Sequence, residues 1–212
     1  MDKIFENNKV TISGEVVSNF VFSHEVYGEH FYMLNVSVLR TSGYADIIPL
    51  MISERLIDTQ QSYIGQHIKV SGQFRSYNSH DEIKSHLILS VFVREYEFVD
   101  ELEPDSRDNQ IEIIGYLCKK PIYRKTPLGR EISDMLLAVN RSYGKSDYVP
   151  CICWGRNAIF VSGFNPGTHV MVTGRIQSRE YKKKISEEEF EIRTAYEVSI
   201  SQIEVLEEEN EN

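Results

Sequence analysis

Residues 146–156 read SDYVPCICWGR, with Tyr148, Pro150, Ile152 and Trp154 on one parity and Val149, Cys151 and Cys153 on the other. Successive side chains of a β-strand point to opposite faces, so this alternation predicts a strand with a small apolar inner face. Its outer face then carries two large aromatics. One of them is the only tryptophan of the chain, on the face less suited to a core.

Working outward, the stretch proves to be half of a repeat. A shift of 101 positions aligns Ile12 with Ile113, Gly14 with Gly115, Gly28 with Gly129, Arg40 with Arg141, Asp46 with Asp147 and Arg55 with Arg156. After one inserted residue, Gly65, His67, Val70, Gly72 and Ser76 align with Gly167, His169, Val172, Gly174 and Ser178. A unit of about 100 residues is an ordinary domain size, so the chain reads as a tandem duplication. We expect a first domain over residues 1–99, an acidic, proline-containing linker over 100–108 (within DELEPDSRDNQ), a second domain over 109–206 and an acidic tail over 207–212.

The chain has 212 residues, 41% of them hydrophobic, enough for two small cores. No apolar run is long enough to span a bilayer, and the N-terminal residues carry no apolar signal core, so a cytoplasmic protein is expected. Cys118, Cys151 and Cys153 come without a His or Cys cluster that would complete a metal site, and read as buried thiols; no metal or cofactor is expected. The net charge of −9 is unevenly spread: −8 over residues 1–108, +3 over 109–206 and −4 in the tail. A positive field is therefore confined to the second half.

In the second copy, alternation and turn residues predict strands near 111–119, 132–143, 148–154, 169–179 and 189–205, with one short helix in GRNAIFVSG between the third and fourth. The first copy repeats the order, with SERLIDTQQSYIG as its helical connection. Five strands with a helix between the third and fourth is the order of the OB barrel, which binds oligonucleotides on its strand 2–3 face and in its long loops. The fold class expected is all-β, two tandem OB folds, each a five-stranded Greek-key barrel with a short helix between strands 3 and 4.

Four stretches of the second copy, KKPIYRKTPLGRE, LLAVNRSYG, DYVPCICWGRNA and HVMVTGRIQSREY, resemble the bacterial single-stranded-DNA-binding protein family. The resemblance implies that Tyr143, Tyr148, Trp154 and Tyr181 stack on bases. The residues also carry this reading themselves: Arg175, Gln177, Arg179 and Tyr181 share one face of their strand, opposite Val170, Val172, Gly174 and Ile176. Cations mixed with aromatics suit a groove that tracks phosphates and stacks bases without reading their edges. Lys119, Lys120, Arg124, Lys125 and Arg130 in the first hairpin, Lys182 and Lys183 after strand 4, and Arg141, Arg156, Arg175 and Arg179 are the expected phosphate contacts. The bland alternative buries Trp154 in the core or a subunit interface.

The first copy departs from the pattern. Its residues at the four stacking positions are Ser42, Ile47, Ser53 and Ser79, and its first hairpin, NFVFSHEVYGEHF, has no lysine or arginine. It reads as a barrel that has largely given up DNA. Strand 5 is followed almost at once by EEENEN, without the flexible arm and apolar tip through which many family members recruit replication and repair enzymes. The function expected is passive, non-enzymatic binding of single-stranded DNA, by a nucleoid-associated homodimer presenting four barrels. The alternative is a protein-assembly module of a replication complex that touches DNA weakly. No H-x-H, metal-spaced carboxylate cluster or Gly-rich phosphate loop supports an enzyme.

Overall fold

The computed structural model describes residues 7–81, 84–102, 109–186 and 189–207, without the side chains of 78–81, 84–86 and 143. Most of the expected linker (103–108) and of the acidic tail (208–212) lies outside the described residues.

The first copy forms β1 (Asn8–Val16), β2 (Val21–Val26), β3 (Glu29–Leu39), β4 (Ala45–Ser53), β5 (His67–Asp81) and β6 (Lys84–Val99). The second forms β7 (Asn109–Leu117), β8 (Ile122–Lys125), β9 (Glu131–Asn140), β10 (Ser146–Trp154), α1 (Arg156–Ser162), β11 (His169–Lys184) and β12 (Phe190–Val205). In each copy five strands close a ring, β1-β3-β4-β6-β5 and β7-β9-β10-β12-β11, in which only β4–β6 and β10–β12 are parallel. These are two OB barrels. A sixth strand, β2 or β8, lines the outer edge of β3 or β9, because the first hairpin of each copy is extended and ladder-bonded rather than an open loop.

Ring closure requires one strand to bend and pair on both sides. β1 pairs with β5 from Val10 to Glu15 and with β3 at Glu15 and Val16. A Cβ at Gly14 would collide with the Ser37 carbonyl, and one at the equivalent Gly115 would lie 2.7 Å from the Ala138 carbonyl oxygen. Only glycine lets the two backbones approach this closely. Inside each ring the alternation predicted from sequence fills the core: Ile12, Leu34, Val36, Ile48 and Phe74 in one, Ile113, Leu137, Val149, Cys151 and Ile176 in the other.

The helical connection appears in one copy only. α1 buries Ala158 and Val161 against the second barrel. The expected counterpart in SERLIDTQQSYIG is not formed; residues 54–66 make turns. Ser53 Oγ accepts the Arg55 N–H at 3.1 Å and Asp58 Oδ1 accepts the Gln60 N–H at 3.0 Å. Such side chains offer the backbone a local partner that competes with the helical one.

The barrels are joined by β1 pairing antiparallel with β7, from Asn8 opposite Ile113 to Ile12 opposite Asn109. The pairing is centred on Val10 and Ile111, which occupy the same place in the two copies, so the barrels are related by an approximate two-fold axis. All twelve strands thereby form one continuous sheet. Two crossed networks reinforce the seam. Arg40 grips Asp46 in the first barrel, and Asp46 accepts the Ser178 N–H of the second at 2.7 Å. Reciprocally, Arg141 grips Asp147, which accepts the Ser76 N–H at 2.5 Å.

Among the described residues no helix is long and apolar enough to cross a membrane. Burial pushes the Cys151 thiol up, and the Cys153 thiol up to about 12, so neither is a thiolate at neutral pH. Cys151 and Cys153 are buried, as the strand parity predicts, whereas Cys118, also expected to be buried, is only half-buried.

Candidate nucleic-acid interface

On β10, Asp147, Val149, Cys151 and Cys153 face the core, while Tyr148 is 48% and Trp154 38% exposed. Ile152, between them on the outer parity, is buried at 5% exposure. The strand rises about 3.3 Å per residue, so the two aromatics stand about 20 Å apart along it. The indole N–H of Trp154 donates to Ser199 Oγ on β12 at 3.1 Å, which fixes the ring's edge and leaves a face toward solvent.

Trp154 lies in a groove of about 490 Å³ that Arg130, Arg175, Arg179 and Arg40 also line, together with Gln177, Ser178 and Ser199. Among the described residues the lining contains four guanidinium groups and no carboxylate. Their counter-charges stand behind the lining: Arg40 grips the buried Asp46, which also lies 3.8 Å from Arg175, and Arg179 is 3.9 Å from Glu197. Burial, and then the neighbouring Arg40, pull the Arg175 guanidinium below its ordinary proton affinity. Gln177 is held by its amide, which donates to Glu197 at 2.7 Å, so the β11 wall of the groove is set before any ligand arrives.

Of the residues expected from sequence, this groove gathers Trp154, Arg130, Arg175 and Arg179. Tyr148 stands outside it, at the seam, with its backbone N–H on Ser76 Oγ at 2.9 Å. Tyr181, 38% exposed, lies further along β11 beside the exposed Lys182 and the half-buried Lys183. Lys119, Lys120 and Arg156 are exposed. Arg124 is paired with Asp134 at 2.9 Å and Lys125 with Glu131 at 3.6 Å, so the hairpin's charge is partly spent on β9. The side chain of Tyr143 lies outside the described residues. Arg141 is not a free cation: its guanidinium holds Asp147 and donates to the Ser76 carbonyl at 2.7 Å, which makes it part of the seam. The lining residue missed was Arg40, which reaches the groove from the first barrel but, like Arg141, is committed to its own carboxylate, Asp46.

The fold defines a tandem OB-barrel protein, and the candidate site is one tryptophan in an arginine-lined groove. The model of the Single-strand binding protein family matches residues 108–206. Single-stranded DNA-binding protein B of Bacillus subtilis is 36% identical over 83 residues, covering 36% of this chain and 74% of that protein. Single-stranded DNA-binding protein 2 of Listeria monocytogenes is 31% identical over 111 residues, covering 49% of this chain and 67% of that protein. The chain spans half to about two thirds of the length of the first curated relatives it matches. The wild-type single-stranded DNA binding protein from Thermus aquaticus superposes with a TM-score of 0.70 at 21% identity, covering 94% of this chain and 93% of that one. That likeness is one of fold and extends across both barrels. The chain belongs to the single-strand binding protein family.

Proposed function

We propose that this protein binds and protects single-stranded DNA, largely without sequence preference and without chemistry on it, in replication, recombination or repair. The observation that carries the reading is the Trp154 ring, open to solvent in a groove lined by four arginines. Every base has a π-face, so a ring of this kind stacks any base, while the guanidinium groups neutralise the backbone. Tyr148 and Tyr181 extend the stacking surface along β10 and β11, with Lys119, Lys120, Arg156, Lys182 and Lys183 at its margins. Two barrels already paired about an approximate two-fold axis need to associate only once to present four, and a two-fold dimer is the commonest closed assembly. We assign the protein to the cytoplasm, as a homodimer whose further partners are replication or repair proteins.

Trp154→Ala tests this directly. A stacked base is worth about 1–3 kcal/mol, so affinity for an oligo-dT strand falls by about 5–150-fold, whereas Trp154→Phe retains most of it. A folded Trp154→Ala protein that binds like the wild type would overturn the platform.

A further inference from the structure

The approximate two-fold axis places a second cleft opposite the Trp154 groove, in the copy whose aligned stacking positions hold Ser42, Ile47, Ser53 and Ser79. It measures about 280 Å³ and is lined by Arg75 and Arg94 of the first barrel, by Arg141 and Lys145 of the second, and by Asn7, Asn8 and Gln73 among others. Among the described residues that line it, the one carboxylate is Asp147. That carboxylate is already engaged by Arg141 and by the Ser76 N–H and hydroxyl.

Among the described residues Arg75 has no ion-pair partner of its own, and Asp147 acts on it only from a distance. Its guanidinium donates to Gln73 Oε1 at 2.6 and 3.1 Å and stacks on the Phe92 ring at 4.1 Å. Among the described residues no carboxylate is within ion-pair distance of it. Burial, followed by the nearby Arg141 and Arg94, lowers its proton affinity to about 10. A half-buried charge held only by neutral groups is costly, and the fold does not require it: the equivalent position in the second barrel is Gln177. The two clefts carry the same pair in reversed order, Gln73 with Arg75 in one and Arg175 with Gln177 in the other, where Arg175 Nη2 reaches Gln177 Oε1 at 3.4 Å. One arginine on this strand is thus present in each cleft, although its position differs.

Among the described side chains that line the cleft there is no aromatic ring. Phe92 is covered by Arg75 and by Arg94, whose guanidinium lies 5.6 Å from the ring centroid. The described lining therefore suits an anion rather than a base. We propose that it is a second binding site, for the phosphodiester backbone of the strand held at Trp154, with Arg75 and Lys145 as the phosphate ligands. This rests on the reading of the Trp154 groove. The first barrel then serves as an electrostatic guide for the strand rather than as structural support alone.

The test is the double variant Arg75→Gln, Lys145→Gln in the full chain. Glutamine already occupies the position equivalent to Arg75, and Lys145 is exposed, so the melting midpoint serves as a control for folding. Binding is measured against salt for an oligo-dT of about 30 nucleotides, long enough for two barrels, and for one of about 8, within the range of one. Each phosphate contact contributes about −0.7 to the slope of log K on log salt for single strands, so the long strand's slope becomes shallower by about 1.4 while the short strand's is unchanged. An unchanged slope for the long strand overturns the second site, and so does an equal loss for both lengths. If Trp154→Ala has no effect while the double variant still flattens the long strand's slope, the stacking platform is wrong and the phosphate site stands.

Discussion

Replacing Asp46 with alanine tests whether the crossed networks, beyond the β1–β7 pairing, lock the two barrels. The carboxylate is wholly buried. It accepts hydrogen bonds from Arg40 Nε at 2.6 Å and Arg40 Nη2 at 2.5 Å, and from the Ser178 N–H at 2.7 Å and hydroxyl at 3.1 Å. Removing one partner of a buried ion pair costs about 3–5 kcal/mol, of which an orphaned backbone N–H accounts for about 1–3 kcal/mol. The Arg40 side chain is 23% exposed and can turn partly to water, which places the expected loss near the lower end, about 3 kcal/mol. For a chain of this size each kcal/mol shifts the midpoint by about 2–4 °C, so Asp46→Ala lowers it by about 6–12 °C in differential scanning calorimetry. Asp46→Asn keeps an acceptor for Ser178 and loses the charge, and costs about half as much. Ser178 also lines the Trp154 groove, so affinity for single strands declines with the seam even though Asp46 lies in the other barrel. A fall of less than about 2 °C for Asp46→Ala would refute the reasoning.

Acid should reach the same network. Burial pushes the Asp46 carboxyl up, but the hydrogen bonds from Arg40 and Ser178 outweigh it and hold the group below its ordinary value of 3.8. A carboxyl depressed on folding stabilises the fold above its unfolded value, and that contribution is lost as pH falls through the folded one. The wild-type midpoint therefore drops more steeply below about pH 4 than that of Asp46→Asn, as thermal melts across that range will show. Backbone approach makes a separate prediction: a Cβ at Gly174 would enter the Ser199 carbonyl oxygen, whereas one at Gly163 meets nothing within 4 Å. Gly174→Ala should cost about 3 kcal/mol or more, and Gly163→Ala almost nothing, in denaturant titrations.

Much of this was legible in the sequence because strand parity is a local property. The alternation of SDYVPCICWGR places Trp154 outside and both cysteines inside without any knowledge of what each face meets. The duplication was legible too, and it held more than was read from it. Arg40, Asp46 and Ser76 match Arg141, Asp147 and Ser178, and these shared residues turn out to be the seam. A barrel with the stacking positions and a barrel without them have kept in common what joins them. Arg141 was misplaced because a cation beside a predicted DNA-binding strand looks like a phosphate ligand until its carboxylate partner is seen. Arg40 and Arg75 were hidden for the converse reason: they belong to an acidic half, and only the β1–β7 pairing brings them to a groove edge. The first copy's missing helix follows from Ser53 and Asp58, whose side chains bond their own backbone; SERLIDTQQSYIG carries that signal, but it is weaker than the analogy with α1.

The central claim is that a nucleic-acid base comes to rest on the exposed indole face of Trp154. With only one tryptophan in the chain, its emission reports on that site alone. Titration of the protein with oligo-dT, followed simultaneously by tryptophan emission and by the anisotropy of a label on the strand, should give saturable quenching that tracks binding and is reversed by salt. Binding seen in anisotropy with an unchanged tryptophan emission would contradict the account.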